Sequence, residues 1–220
     1  MNILWARHGE NVANLTRTLS HRVFDGELTD RGREQAAKLG KHLAVLDPPI
    51  GFIASSAARR AVETAAIVSG PLGIDPASIP ALDQLREVNV GEFDGRSDDA
   101  AWATYDDILG AWRPGEFHRS FPGGEDLHEL SERLRQGLGS VAAMAGSRRV
   151  LVVAHGANLR AALLVLAGAS DPGHDLATGG VAELAIQTEP GSVQAPAIRV
   201  DLLSWGLALP NGKLRSSRDA

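Results

Sequence analysis

The chain has 220 residues, 44% of them hydrophobic and 22% charged, a composition typical of a globular protein with a sizeable core and not of a disordered or fibrous one. Its formal net charge of -5, without a long basic run, disfavours general binding to nucleic acid or to an anionic membrane. Because the chain contains no cysteine, disulfides, thiolate nucleophiles and Cys-based zinc sites are excluded.

Strand-like and helical segments alternate along most of the chain. Apolar runs typical of strands occur at 2–6, 51–54, near 81–86, 149–154, 181–187 and 198–204. Helical spacing of apolar residues is found between them, at 30–46, 57–69, 126–145 and 157–167. This alternation predicts βαβ units and therefore an α/β fold with a largely parallel sheet.

Three segments depart from this alternation. Residues 188–197 carry turn residues and no helical period, so the two strands that flank them are predicted to form an antiparallel hairpin at one sheet edge. Residues 97–125 lack the core pattern, begin acidic and end basic, and are predicted to form a cap-like insertion over a pocket. We therefore predict one domain over residues 1–205, followed by a C-terminal tail at 206–220.

Residues suited to binding an anion follow three of the predicted strands. Arg7 and His8 follow the first strand, and His155 follows the apolar run VLVVA. Arg60 lies near the start of a helix, whose N-terminus adds backbone donors. Ligands of open α/β sheets bind at the carboxyl ends of the strands, so these side chains are predicted to meet in one crevice. Their arrangement suits a tetrahedral dianion, because arginine forks match phosphate geometry.

A histidine beside a phosphoryl group has three alternative roles. It can donate a proton, bind the oxygens, or attack phosphorus and form a phosphohistidine. The segment LREVNVGEF, residues 85–93, adds Glu87 after a strand-like run. Burial would raise the pKa of this carboxyl into the range of a general acid.

Six ordered motifs of the chain resemble those of the histidine phosphatase superfamily, which includes phosphoglycerate mutases and broad-specificity phosphatases. The motifs are RHGEN with Asn14 downstream, LTDRGREQA, SSAARRAVETA, LREVNVGEFDG, PGGED and VVAHGANLRAAL. The resemblance extends from about residue 3 to residue 167. It implies a three-layer α/β/α sandwich like that of phosphoglycerate mutase and a phosphohistidine mechanism that uses no metal.

The resemblance also implies a role for each matching residue. His8 would be the phosphorylated nucleophile, and Glu87 would be the proton donor. The phosphoryl oxygens would be held by Arg7, Asn14, Arg60 and His155. The resemblance implies no cofactor, unless the protein is a mutase that depends on 2,3-bisphosphoglycerate.

Substrate recognition is expected in two segments where the motifs stop. The loop at 16–27 supplies His21 and Arg22, and the insertion supplies Arg113, His118 and Arg119. These side chains are candidates for gripping the nonreacting part of an anionic substrate.

We expect a hydrolase that acts on a small phosphorylated metabolite. A phosphoglycerate-type mutase is the alternative within the fold, and a noncatalytic module that binds a phosphorylated ligand is the alternative from another class. The expected partner is a small phosphoester, with neither nucleic acid nor membrane, and a homodimer is kept as a candidate assembly. Without a charged leader or an 18-residue apolar segment in the sequence, the expected location is the cytoplasm.

Overall fold

Six strands form one sheet in the structure, a computed structural model that describes residues 1–168, 171–189 and 197–207. The strands are β1 (Asn2–Arg7), β2 (Ile50–Ser56), β3 (Ala81–Leu82), β4 (Arg149–Ala154), β5 (Val181–Glu189) and β6 (Ala197–Leu207). Their order across the sheet is β3-β2-β4-β1-β5-β6. The first four in this order are parallel, and β5 and β6 add an antiparallel edge. The predicted sheet is therefore confirmed.

Helices cover both faces of this sheet. They are α1 (Val12–Thr16), α2 (Asp30–Leu43), α3 (Arg59–Leu72), α4 (Asp99–Trp112), α5 (Leu127–Ala145) and α6 (Ala157–Leu166). Ile3 and Trp5 of β1 belong to the apolar cluster of α4, α5 and α6, whereas Leu4 and Ala6 belong to that of α2 and α3. The two helical layers confirm the α/β/α sandwich. None of the described helices has the length and apolar character needed to span a membrane.

The central position of β4 explains its apolar sequence. This strand pairs in parallel with both β1 and β2, and its residues 150–154 are all buried. A strand that is covered on both faces needs an apolar side chain at every position. The same pairing brings the carboxyl ends of β1, β2 and β4 to one edge of the sheet, where the residues that follow these strands come together.

Two predicted boundaries differ from the structure. The strand expected near 81–86 is limited to Ala81–Leu82, because only Ser55 and Ser56 of β2 pair with it, and a 3-10 turn at Asp83–Leu85 follows. The predicted tail begins too early, because β6 continues to Leu207 alongside β5. The rest of that tail, and the turn of the predicted hairpin at 190–196, lie outside the described residues.

Residues 97–125 contribute core residues although their sequence lacks the core pattern. Trp112 on α4 and Phe121 beyond it are completely or almost completely buried, and their rings meet edge to face at a centroid distance of 6.2 Å. The Trp112 indole also donates a hydrogen bond of 2.8 Å to the Arg119 carbonyl. The insertion is an integral part of the larger apolar cluster, since its aromatic residues are spaced to reach the core from a helix and from the loop after it.

We expect Trp112→Ala to lower the free energy of unfolding of the whole domain by about 3–5 kcal/mol, because it leaves a large cavity in the shared core. Urea unfolding followed by circular dichroism measures this change. The control Val45→Ala removes a side chain that is 64% exposed and should alter stability by less than about 0.5 kcal/mol. An unchanged main transition in Trp112→Ala would mean that the insertion folds as a separate cap.

Candidate active site

Two histidines meet at the carboxyl edge of the sheet. His8 follows β1 and His155 follows β4, and the parallel register aligns Arg7 with Ala154. The His8 backbone N–H donates to the Ala154 carbonyl over 2.9 Å, which fixes the two loops together. The two imidazole rings are buried, with their centroids 5.2 Å apart. The predicted convergence of the two His-Gly pairs is therefore present.

Arg60 joins the two imidazoles. It lies in the first turn of α3, and its side chain is only 3% exposed. Its Nε donates to Nε2 of His8 over 3.1 Å, and its Nη2 donates to Nδ1 of His155 over 3.2 Å. Ser20 holds the same guanidinium from the loop side through its hydroxyl and its carbonyl, each at 3.0 Å.

The contacts of His8 define its protonation. Its Nδ1 lies 2.7 Å from the Gly9 carbonyl, which can only accept, so Nδ1 carries the proton and Nε2 keeps its lone pair. Burial, followed by the charges of Arg60 and Arg7, holds the pKa of His8 well below its ordinary value. At neutral pH the ring therefore presents an uncharged Nε2, the atom a nucleophilic histidine requires.

His155 is neutral for the same physical reason. Burial and then the charge of Arg60 hold its pKa well below the ordinary value. Because Nδ1 accepts from Arg60, the proton resides on Nε2, which donates to the Ser56 hydroxyl over 2.9 Å. Ser56, at the end of β2, thus orients the second imidazole.

Arg7 has one donor without a partner. Its Nη1 donates to the Leu176 carbonyl over 2.6 Å, whereas its buried Nε–H has no acceptor. An unpartnered buried donor on a cation is unfavourable, and an anionic oxygen would satisfy it. Gly156 keeps the path of this side chain open, since a Cβ there would lie 3.1 Å from Arg7 Cδ.

The Glu87 carboxyl reaches the same pocket. One of its oxygens, Oε1, accepts from the backbone N–H groups of Val88 at 3.0 Å and Asn158 at 2.7 Å. The other oxygen is left to carry a proton. Burial raises the pKa of Glu87, although these two donors and the nearby arginines favour its ionised form.

The backbone that carries Glu87 is held by side chains from α5 and from the loop at 16–27. Arg133 on α5 donates to the carbonyls of Gln84, Arg86 and Glu87 and forms a two-point ion pair with Glu125. His21 contributes from the loop at 16–27, donating through Nδ1 to the Glu87 carbonyl over 2.8 Å. These contacts hold the Glu87 backbone without touching its carboxyl group, so Arg133 and His21 position this residue.

These side chains surround a pocket of about 150 Å³. Its walls include Asn14, whose Oδ1 accepts the Asn11 backbone N–H in the cap of α1, and four other predicted site residues. The four are Arg7, His8, Arg60 and Glu87. His155 lies behind Arg60, in contact with it and with His8.

The residues expected to recognise substrate do not line this pocket, although Arg113 lines an adjoining one that shares Ala157 and Asp175 with it. Arg22 pairs with Asp83, and Arg119 pairs with Asp107. Arg113 pairs with Asp171 over 2.5 Å. His21 is buried beneath Glu87, and His118 is exposed, 3.5 Å from Asp126. Arg22 and Arg113 are held by acidic residues far away in the sequence, whereas Arg119 is held by Asp107 of the same insertion.

Sequence analysis did not assign a role to several residues that support the site. Ser20 and Ser56 orient Arg60 and His155, and Arg133 holds the loop of Glu87. Glu125 was visible only as the acid of the PGGED motif, without a function. Arg133 gave no signal, because a single arginine on an amphipathic helix is typical of a solvated face.

Comparison with known proteins places this geometry in a family. Residues 3–194 match the model of the histidine phosphatase superfamily, branch 1. Over 173 residues the chain is 34% identical to the 2,3-bisphosphoglycerate-dependent phosphoglycerate mutase of Methylobacterium radiotolerans, a match that spans 77% of this chain and 80% of that protein. The chain therefore belongs to the histidine phosphatase superfamily and is an enzyme of the class that contains phosphatases and phosphoglycerate mutases.

Solved structures share the fold. Mycobacterial glucosyl-3-phosphoglycerate phosphatase, in a complex with VO3, superposes with a TM-score of 0.73 at 23% identity, covering 93% of this chain and 98% of that one. Phosphoserine phosphatase from Entamoeba histolytica, in complex with 3-phosphoglyceric acid, gives a TM-score of 0.69 at 20% identity, covering 93% and 96%. These similarities confirm the phosphoglycerate mutase-like architecture.

We expect inorganic phosphate to bind between Arg7, Arg60 and the two histidines. Isothermal titration calorimetry should show that Arg60→Met weakens this binding by at least about tenfold, since a charge-assisted contact is worth roughly 1.5–3 kcal/mol. The control is Arg59→Met, which removes the neighbouring exposed arginine that pairs with Glu27 and Glu63. Equal effects of the two substitutions would place the anion elsewhere.

Proposed function

We propose that this protein hydrolyses a phosphomonoester of a small metabolite through a phosphohistidine on His8. The observation that carries the proposal is the uncharged, buried Nε2 of His8, directed at Arg60 in a pocket that also holds the unpartnered Nε–H of Arg7. A nucleophile and donors for the oxygens of its target are thus adjacent.

Binding comes first in this proposal. The phosphoryl oxygens accept hydrogen bonds from both arginines and from the Asn14 amide, and Arg60 exchanges its contact with Nε2 of His8 for a contact with oxygen. The dianion favours protonation of His155, whose Nδ1 then also donates. These interactions hold phosphorus close to Nε2 of His8, which reduces the entropy needed to reach the transition state.

Two displacements follow. The Nε2 lone pair of His8 attacks phosphorus, the bond to the ester oxygen breaks, and Glu87 transfers its proton to the departing alkoxide. The Glu87 carboxylate then takes a proton from water while the water oxygen attacks phosphorus. Cleavage of the P–N bond releases inorganic phosphate and regenerates both residues, without a metal or other cofactor. We expect this chemistry to take place in the cytoplasm, on a small-molecule substrate.

Substitutions at His8 and Glu87 test the two roles separately. His8→Ala should abolish turnover of every ester and eliminate the acid-labile phosphoenzyme. Glu87→Gln should lower the rate on glycerol 3-phosphate by about 10²–10⁴, because its alkoxide needs a proton, and should affect p-nitrophenyl phosphate much less. His42→Ala and Glu92→Gln, both at exposed positions, are the controls. Equal losses on both esters in Glu87→Gln would show that Glu87 is not the acid.

Arg133 tests the positioning of that acid. Arg133→Met removes the donors that hold the loop around Glu87, so kcat on glycerol 3-phosphate should fall at least tenfold while p-nitrophenyl phosphate is affected less, as expected for impaired general acid catalysis. Arg135→Met, on the same helix and paired with Glu132, should change neither rate. A uniform loss on the two esters, matched by a loss of stability, would indicate structural damage alone.

The phosphoglycerate mutase relative favours a second candidate function. A mutase returns the phosphoryl group from His8 to the product, and would require 2,3-bisphosphoglycerate to prime the enzyme. Incubation with 3-phosphoglycerate and a trace of 2,3-bisphosphoglycerate separates the two. Faster formation of 2-phosphoglycerate than of inorganic phosphate would favour the mutase, and no reaction with any phosphoester would favour a noncatalytic binding module.

A further inference from the structure

We infer that the substrate carries its negative charge on the phosphoryl group alone, attached to a small, uncharged and ring-bearing alcohol. This inference rests on the proposed function and specifies the substrate class of that site. It comes from the walls of the pocket that lie beyond Arg7, Arg60 and the histidines.

The charges of the pocket match one phosphoryl dianion. Arg7 and Arg60 are the only arginines or lysines among the described residues that line it. Arg60 donates to His8, and Arg7 lies beside Gly156, the residue after His155. A phosphomonoester carries close to two negative charges at neutral pH, which these two cations offset. A second carboxylate or phosphate would find no free cation in the wall.

An acidic residue stands further along the same wall. Asp175 lines the pocket and pairs with Arg160 over 2.6 Å, while Arg160 also binds Asp171 through two hydrogen bonds. Arg113 completes this network through Asp171. The two arginines and two aspartates are balanced, so the network offers no net positive charge to a second anion.

The opposite wall is aromatic and uncharged. Trp102 and Tyr105 project from α4 into the pocket lining, with ring centroids 5.2 Å apart. The Trp102 indole donates to the Arg17 carbonyl over 2.6 Å, and Tyr105 packs against buried Phe121 at 5.9 Å. Burial raises the pKa of Tyr105 well above its ordinary value, so its phenol stays neutral. Fixed aromatic faces of this kind favour a flat ring on the substrate.

Apolar residues complete the enclosure. Leu19, Val88 and Val90 line the pocket between the aromatic wall and the loop of Glu87. The pocket of about 150 Å³ must hold the phosphoryl group as well, so the space left for the alcohol is small. Four uncharged polar side chains also line the pocket: Asn11, Asn14, Thr18 and Ser20. They already hydrogen-bond within the protein, so a buried carboxylate would lose its hydration with no cation to offset its charge.

Arg17 is an exposed cation beside this wall. Its guanidinium lies over the Trp102 ring, 5.6 Å from the centroid, and 3.7 Å from Asp99. It sits on the outside of the ring and is absent from the pocket lining. If it gripped a second anionic group, the inference would fail, so Arg17→Gln belongs in the test.

Hydrolysis of four phosphoesters tests the effect of a carboxylate on the substrate separately from the effect of a ring. Benzyl phosphate and 4-carboxybenzyl phosphate differ in one carboxylate, as do glycerol 3-phosphate and 3-phosphoglycerate. We expect kcat/KM to be at least about tenfold higher for the ester without a carboxylate in each pair, because binding would remove water from the carboxylate without giving it a partner. We also expect benzyl phosphate to exceed glycerol 3-phosphate.

Substitutions at Trp102 and Asp175, with one at Asp107 as the control, test which residues cause this preference. Trp102→Ala should lower the ratio of kcat/KM for benzyl phosphate over glycerol 3-phosphate by about tenfold, mainly through KM, and Trp102→Phe should restore it. Asp175→Asn should narrow the discrimination against the carboxylate by about two- to fivefold, because Arg160 then gains net positive charge. Asp107→Asn, on α4 but outside the pocket lining, should leave both ratios unchanged.

The outcomes distinguish this inference from the proposed function. Turnover with a preference for the carboxylated esters, or a loss of their turnover in Arg17→Gln, would overturn the inference while leaving the hydrolase intact. No hydrolysis of any ester by the unmodified protein would overturn the proposed function and the inference with it.

Discussion

The site depends on one buried cation between two neutral imidazoles. The guanidinium of Arg60 is almost fully enclosed. Two carboxyl groups lie near it: Asp25, which is 3.8 Å away and partly exposed, and Glu87, whose pKa is raised by burial so that its neutral form is favoured. Nitrogen lone pairs and Ser20 satisfy the donors of Arg60 but do not neutralise its charge. A buried charge without a close counterion is unfavourable. The site therefore has a positive potential that attracts an anion, and its donors need little rearrangement to bind one.

Sheet topology explains how distant residues reach this cation. The parallel pairing of β1 with β4 sets His8 beside His155, and the helix after β2 brings Arg60 between them. Glu87 arrives differently, from a loop that leaves the short edge strand β3. No strand pairing fixes that loop, and the contacts of Arg133 and Asn158 serve this purpose instead. Glu87, the proposed acid, is consequently the part of the site whose geometry depends most on side chains.

The same difference explains what the sequence could predict. His8 and His155 could be predicted as site residues because an apolar strand that ends in His-Gly is a local sequence pattern. Arg60 could be predicted because it lies at the start of a helix. The ion pair of Arg22 could not be predicted, since its partner Asp83 is distant along the chain and only the folded structure brings the two charges together. Trp112 was missed as a core residue because its segment has too weak an amphipathic pattern to show which face is buried.

Burial acts on the candidate nucleophile and the candidate acid in opposite directions, and both directions favour reaction. Low polarity disfavours the charged form of each group, so it lowers the pKa of His8 and raises that of Glu87. His8 is reactive above its pKa and Glu87 below its own. A lower pKa of His8 and a higher pKa of Glu87 widen the pH range in which an unprotonated imidazole and a protonated carboxyl coexist. The enclosure that makes Arg60 attractive to an anion thus also sets the protonation states that phosphoryl transfer requires.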